Sequence, residues 1–215
     1  MANKGIFGYV LCALVLAFSV TGAALTCFAQ EQAAPAEKTT LDNLMAAFDG
    51  ESNANARYLA FAVKADEEGY GKVASLFRAA ARAEQVHYEH HAAVIIELGG
   101  TPEAKIETPD VKSTKENLEA ALKGETYETT VMYPEFLAKA EKDKIKNAVD
   151  AFEDAQAAEA VHAAWYKKAL NNMDAWKGPK MDFYVCPKCG NVVDVIPGLA
   201  CPICMEDTKK FIPVS

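Results

Sequence analysis

Apolar residues recur at helical spacing along four long stretches of the chain, about Thr40–Glu68, Lys72–Leu98, Thr114–Lys142 and Lys144–Asn172. Each stretch is rich in Ala, Leu, Glu and Lys, the combination that favours helices with one buried face. In the first, Leu41, Leu44, Met45 and Phe48 mark that face. Ser113 followed by Glu116 predicts a capping box at the start of the third helix, and Gly99-Gly100 closes the second. Pro134 falls inside the third stretch, where its missing N–H predicts a kink near Thr130.

The connections predict how the helices are joined. Gly69-Tyr70-Gly71 is a tight turn, so the first two helices should be antiparallel neighbours, and Lys142-Asp143-Lys144 is equally short. Gly99–Ser113 holds fifteen residues. At ~3.3 Å per residue that segment reaches about 50 Å, whereas a helix of roughly 28 residues is about 42 Å long. It can therefore cross the bundle lengthwise. The expected fold is mainly α: a four-helix bundle over residues 39–175 with one long crossover. A short linker, Trp176–Met181, leads to a small cysteine-bearing domain at 182–215.

The first thirty residues follow a different pattern. Lys4 is the only charge before Glu31, Ile6 to Val20 is apolar, and Cys27-Phe28-Ala29 ends in a small residue. This predicts a signal peptide over residues 1–29 and export, to a periplasm-like compartment. An uncleaved anchor over Gly5–Leu25 is the alternative. Thr26 disfavours lipidation at Cys27. Residues 30–38 form an Ala/Pro/Glu-rich linker. The net charge is −8 with no basic stripe, which excludes nucleic acid as an expected partner.

Most glutamates on such helices face solvent, but seven positions argue for chemistry. Glu84 and His87, and again Glu159 and His162, form Glu-x-x-His pairs, each on one helical face. A bundle that binds two metal ions through carboxylates also needs a glutamate from each of the other helices. Glu51 on the first helix and Glu125 and Glu128 on the third fill that need. Two ferrous ions carry four positive charges. Four carboxylates balance them and two neutral imidazoles complete the coordination, whereas the same acids facing one another in a dry, metal-free core would be strongly unfavourable. His90 and His91 read as surface or outer positions, although His91 shares a face with Glu84 and His87. Tyr58 and Tyr133 read as core aromatics on residue type alone.

The remaining cysteines form two C-x-x-C knuckles, Cys186/Cys189 and Cys201/Cys204, within nineteen residues. That clustering favours one tetrahedral thiolate site over a disulfide scaffold, and the absence of a following histidine excludes c-type haem attachment. Alone, such a site would hold zinc more often than iron. Beside a di-iron bundle that needs electrons, iron is expected. Gly190 closes the first knuckle, but Met205 stands at the matching position of the second. If that position needs a positive φ, Met205 is strained there.

These segments resemble the rubrerythrin family from about Thr40 to the C-terminus. The resemblance rests on Gly50-Glu51 with Tyr58, Ala83-Glu84-x-x-His87, and Gly124-Glu125-Thr-Tyr-Glu128 through Met132-Tyr-Pro-Glu135-Phe. Glu159-x-x-His162 and the cysteine knuckles complete it. It implies a ferritin-like di-iron bundle with a rubredoxin-like domain carrying one further iron, zinc being the alternative there. It implies that Glu84 and Glu159 bridge the irons, with Glu51, Glu125 and His162 as terminal ligands. Glu128 and His87 would exchange on one iron with its redox state, and Tyr58 and Tyr133 would hydrogen-bond ligand carboxylates or peroxide. The implied activity is reduction of hydrogen peroxide to water in oxidative stress protection. Electrons would come from an external donor, a rubredoxin- or cytochrome-type carrier or a reductase. The implied assembly is a homodimer in which one chain's rubredoxin-like domain serves the other's di-iron site. A ferroxidase or iron-storage protein is the alternative, and a zinc-loaded binding module is a third.

Overall fold

A computed structural model describes residues 37–215; the leader expected at 1–29 and most of the linker expected at 30–38 lie outside the described residues. Thr39 opens α1 (Thr40–Glu67) through a capping box with Asp42, and Ser113 opens α3 (Thr114–Tyr127) through the box with Glu116 that its sequence predicts. Between them lies α2 (Gly71–Glu97), and α5 (Lys146–Asn171) completes the bundle. Among the described residues no helix is long and apolar enough to cross a membrane.

Hydrogen bonds trace the crossover along α1. Gly100 lies beside Leu41 near the start of α1. Further on, Lys105 N–H donates to Asp49 Oδ1 and Glu107 N–H to Asn53 Oδ1, and finally Thr114 N–H donates to Glu68 Oε2 at its end. The segment therefore runs the length of the bundle, and α3 starts at the end from which α2 also departs.

The third helical stretch differs from a simple proline kink. After α3 the chain widens into a π turn, Glu128–Met132, and resumes as α4 (Tyr133–Asp143). Pro134 sits in the first turn of α4, where a missing N–H costs nothing. Thr126, Thr129 and Thr130 each return a side-chain hydrogen bond to the carbonyl four residues back, which favours bending. Gln156 on α5 donates to the Thr129 carbonyl, satisfying an acceptor within the widened turn.

Two apolar clusters fill the bundle. One, around Tyr58, Phe61, Phe77 and Tyr166, extends into Trp176, Phe183 and Val192 of the C-terminal segment. The other gathers Leu44, Val94, Ile95, Tyr133, Phe136 and Phe152. Past α5, a 3-10 turn (Met173–Trp176) leads to β1 (Phe183–Val185), β2 (Val192–Val193) and β3 (Ile212–Val214), an antiparallel sheet in the order β2-β1-β3. Trp165 on α5 donates to the Val192 carbonyl, fixing the sheet against the bundle.

The linker is fastened at the first turn. Gly71 N–H donates to Gly178 O and Gly178 N–H to Gly69 O. A Cβ at Gly71 would collide with the Gly178 carbonyl and crowd Lys180 N. Both obstacles are backbone and cannot rotate away. Gly71→Ala should cost about 1–3 kcal/mol, the usual range for overpacking, read as a lower urea midpoint at unchanged m-value.

Candidate metal centre

Four helical strands each carry part of one polar layer. Glu51 projects from α1, Glu84 and His87 from α2, Glu125 from α3, and Glu159 and His162 from α5; all six are buried. Ligand atoms of Glu51, Glu84, His87 and Glu159 lie within 4.8 Å of one another, as do those of Glu84, Glu125, Glu159 and His162. The two groups share Glu84 and Glu159. Each offers three carboxylates and one imidazole.

The orientation of the imidazoles follows from their hydrogen bonds. His87 Nδ1 lies 3.0 Å from Glu84 Oε2 and 2.8 Å from Glu159 Oε1; His162 Nδ1 lies 2.6 Å from Glu159 Oε2. Both Nε2 atoms point outward, 3.1 Å from the Cys189 carbonyl for His87 and 3.0 Å from the Gly190 carbonyl for His162. A carbonyl only accepts, so each Nε2 carries a hydrogen, and it is each Nδ1 that faces the carboxylates and would offer its lone pair to a metal there. A backbone carbonyl behind a ligating histidine is the usual means of fixing its tautomer.

The tyrosines bind crosswise. Tyr58, on the helix of Glu51, donates to Glu125 Oε1 at 2.6 Å, while Tyr133, on the strand of Glu125, donates to Glu51 Oε1. Tyr58 follows Glu51 by seven residues and Tyr133 follows Glu125 by eight. The π turn between Glu125 and Tyr133 absorbs the extra residue.

Without metal this layer is electrostatically poor. Burial, then repulsion from neighbouring acids, pushes Glu84, Glu159 and Glu128 well above the ordinary carboxylate range, and burial pushes Glu51 up to about 7. Burial opposes Glu125 as well, but hydrogen bonds with Glu159, His162 and Tyr58 hold it below its ordinary value. Burial lowers His87 strongly; at His162 the same burial is outweighed by the hydrogen bond and charge of Glu125, and its pKa rises to about 9. Glu51 Oε2, Glu84 Oε1 and Glu125 Oε2 are buried with no hydrogen-bond partner. Orphaned carboxylate oxygens converging with imidazole lone pairs fit two divalent cations with oxygen and nitrogen ligands.

Glu128 is the one predicted ligand outside both groups: it sits half-buried at the head of the π turn. His91 is fully buried rather than on the surface, and it lies in an outer shell of the layer, beside Tyr133. Its spacing of four from His87 and seven from Glu84 was the signal that it shares their face.

The second centre is built by the knuckles. All four cysteine sulfurs lie within 4.8 Å of one another, with Cys186–Cys204 and Cys189–Cys201 pairs at 3.6 Å. A tetrahedral ion with bonds of about 2.3 Å separates its sulfurs by about 3.8 Å, so the cage fits one ion. Cys186, Cys189 and Cys201 are buried and Cys204 reaches the surface. Gly190 N–H donates to Cys186 O and Met205 N–H to Cys201 O, and both closing residues have positive φ, 75° and 62°. Met205 does adopt the conformation that disfavours a side chain, which points into solvent. Gly190 has a second reason to be glycine: a Cβ there would collide with His87 Nε2. These contacts between knuckle and histidines are made within one chain.

Known proteins resemble this chain in sequence and in structure. A family model described as Rubrerythrin matches residues 42–170. Nigerythrin of Nitratidesulfovibrio vulgaris is 40% identical over 174 residues, 80% of this chain and 85% of its own length. Rubrerythrin of Porphyromonas gingivalis is 32% identical over 182 residues, covering 81% and 90%. The solved structure of fully reduced, all-ferrous nigerythrin superposes with a TM-score of 0.77 at 36% identity, over 86% of this chain and 91% of that one. A bacterioferritin of Mycobacterium tuberculosis shares the fold, with a TM-score of 0.59 at 22% identity over 65% of this chain and 89% of its own.

The titrations give a stability prediction. Unfolded glutamates titrate near about 4.3, so above that pH raised folded values mean that folding retains protons, and stability falls as pH rises. His87 and His91 oppose this only below about 6.5, where the unfolded imidazoles are charged. His162, raised to about 9, adds to the fall up to that pH. With the carboxylate site emptied by a chelator and the cysteine site left loaded, Tm should drop between pH 6.5 and 9. Each released proton contributes up to about 1.4 kcal/mol per pH unit, worth roughly 2–4 °C per kcal/mol. Refilling the site with ferrous iron should flatten the profile.

Proposed function

The chain belongs to the rubrerythrin family, with a carboxylate–histidine di-iron site and one iron on four cysteines, and from that premise we propose that it reduces hydrogen peroxide to water with electrons passed from the cysteine site. The observation that carries this reading is the pair of hydrogen bonds from His87 and His162 to the carbonyls of Cys189 and Gly190. Each joins an imidazole of the carboxylate layer to the backbone of the first knuckle, a short bonded route between two redox centres.

Glu84 and Glu159, which belong to both ligand groups, would be the carboxylates shared by the two irons. Glu51 and His87 would hold one iron, and Glu125 and His162 the other. When bound, the iron pair supplies the two electrons that reduction of the O–O bond requires. Tyr58 and Tyr133 hold hydroxyl hydrogens on the two terminal carboxylates and keep those carboxylates oriented. Glu128, at the head of the π turn beside the layer, would be the further anion that suits ferric iron, as the imidazole of His87 suits ferrous. The burial of the layer excludes bulk water and so limits loss of reducing power to side reactions.

Electrons enter from an external donor at the exposed edge of the cysteine cage, where Cys204 reaches the surface. In the homodimer that we propose, exchange of the rubredoxin-like domain between two copies rebuilds the same two histidine contacts. The leader-like first segment supports action after export.

Rapid mixing tests the reading directly. The reduced protein should be oxidised by hydrogen peroxide much faster than by air, and equal or slower reaction with peroxide overturns it. Iron analysis after gel filtration should give about three irons per chain in a small oligomer, the number of metal sites built by these ligands. Many irons in a large cage would instead indicate storage. Gly190→Ala should separate the two centres functionally: the added Cβ displaces the knuckle from His87. Steady turnover with an external donor should fall by about tenfold or more, and single-turnover oxidation by peroxide should fall by less, since the di-iron ligands themselves are kept while the carbonyls behind His87 and His162 shift.

A further inference from the structure

The two halves of the di-iron layer are built on the same plan, and they differ behind the tyrosines. On α2 the series Glu84, His87, His91 has spacings of three and four; on α5 the matching series is Glu159, His162, Tyr166. His91 Nε2 lies 3.1 Å from the Tyr133 hydroxyl. Tyr166 occupies the equivalent place behind Tyr58, with ring centroids 5.7 Å apart, and its hydroxyl is buried without a hydrogen-bond partner. Only the Tyr133 half therefore has an imidazole behind its phenol.

Proton placement along this line is fixed by elimination. With metal bound Glu51 is an ionised carboxylate and can only accept, so the Tyr133 hydroxyl gives it the phenolic hydrogen. The hydrogen between Tyr133 and His91 must then sit on His91 Nε2. His91 is fully buried and packed against Phe152, and burial holds its pKa down at about 3, so it is neutral, with a bare Nδ1. That Nδ1 is itself buried and has no partner. An orphaned acceptor in a dry core is a cost to stability, and a phenylalanine would avoid it. What the histidine provides that phenylalanine does not is the Nε2–H aimed at Tyr133.

We propose that His91 is a positioning residue of the di-iron site: by donating Nε2–H to the Tyr133 oxygen it commits the phenolic hydrogen to Glu51. Donation into the phenol oxygen also makes the phenol a stronger donor, because hydrogen bonds in series polarise one another. Glu51 then gives less charge to its metal than Glu125 does, and the two metal positions are unequal. The inference rests on the reading of this layer as an iron site that reduces peroxide.

The test is a set of variants of the iron-loaded full chain. His91→Phe removes the donor, His91→Gln keeps an N–H near the Nε2 position, and His91→Asn keeps one near Nδ1 instead. His91→Phe should lower kcat for peroxide by about tenfold at unchanged KM, the lower end for a group supporting a metal ligand. It should also lower the midpoint potential of the di-iron pair, because a more basic Glu51 favours ferric iron, and it should melt no lower than the parent. His91→Gln should stay within about twofold in kcat and keep the parent potential, while His91→Asn should behave as His91→Phe. In a Tyr133→Phe background all three should be silent, since the effect travels through the phenol. If His91→Phe has the same effect with and without Tyr133, or if Gln and Phe are equivalent, His91 does not act through this bond. Should the parent chain fail to reduce peroxide, the potentials still decide the role of His91, so the two readings fail separately. If His91→Phe does not fold, the contrast between Gln and Asn carries the decision.

Discussion

Four buried glutamates and two histidines converge on the middle of a bundle otherwise filled with Ala, Phe, Leu and Tyr, with Glu128 at their edge, and the rest of the structure accommodates that concentration of charge. A carboxylate moved out of water is stabilised only by a cation or a hydrogen bond, and a single donor does not suffice for four of them. The apolar clusters lie on either side of the polar layer. Every helical stretch contributes to it, so the helices are held in register by the hydrogen bonds of this layer as well as by their apolar faces. Burial and mutual repulsion push Glu84, Glu159 and Glu128 above the ordinary carboxylate range, which is why positive charge is favoured in this layer.

The crosswise tyrosines show how backbone geometry serves this layer. A regular helix from Glu125 onward would bring residue 132 to the place that Tyr58 takes relative to Glu51, and residue 132 is methionine. The π turn adds one residue and presents Tyr133 instead. Three threonines and Pro134 make the local helix easy to widen, and Glu128 stands at its head, where a carboxylate can lie outside the ligand groups and still be close to them.

The two knuckles share a conformation and differ in what surrounds them. Gly190 and Met205 both have positive φ, yet only Gly190 lies against a histidine of the bundle. Met205 faces solvent, so its side chain meets only the backbone penalty of a left-handed residue, about 1–2 kcal/mol. A side chain at 190 would meet that penalty and also break the seam between the two metal centres. The asymmetry of the cage follows: buried on the side of the di-iron layer, open at Cys204 on the other.

The sequence by itself determined the helical stretches, the capping boxes, the lengthwise crossover, the clustering of the Glu-x-x-His pairs and of the four cysteines, and the oddity of Met205. All of these are local or depend on spacing along one helix, where periodicity, loop length and residue type suffice. Three features were decided only by the tertiary structure. Pro134 announced an irregularity, but a π turn rather than a kink depends on Gln156 and the packing of Tyr133 against α1 and α5. His91 looked peripheral because its burial comes from Tyr133 and Phe152, distant in sequence. The hydrogen bonds from His87 and His162 to the first knuckle join residues 102 and 28 positions apart. No pattern within either segment encodes that contact, because it exists only once the sheet has docked on α2 and α5.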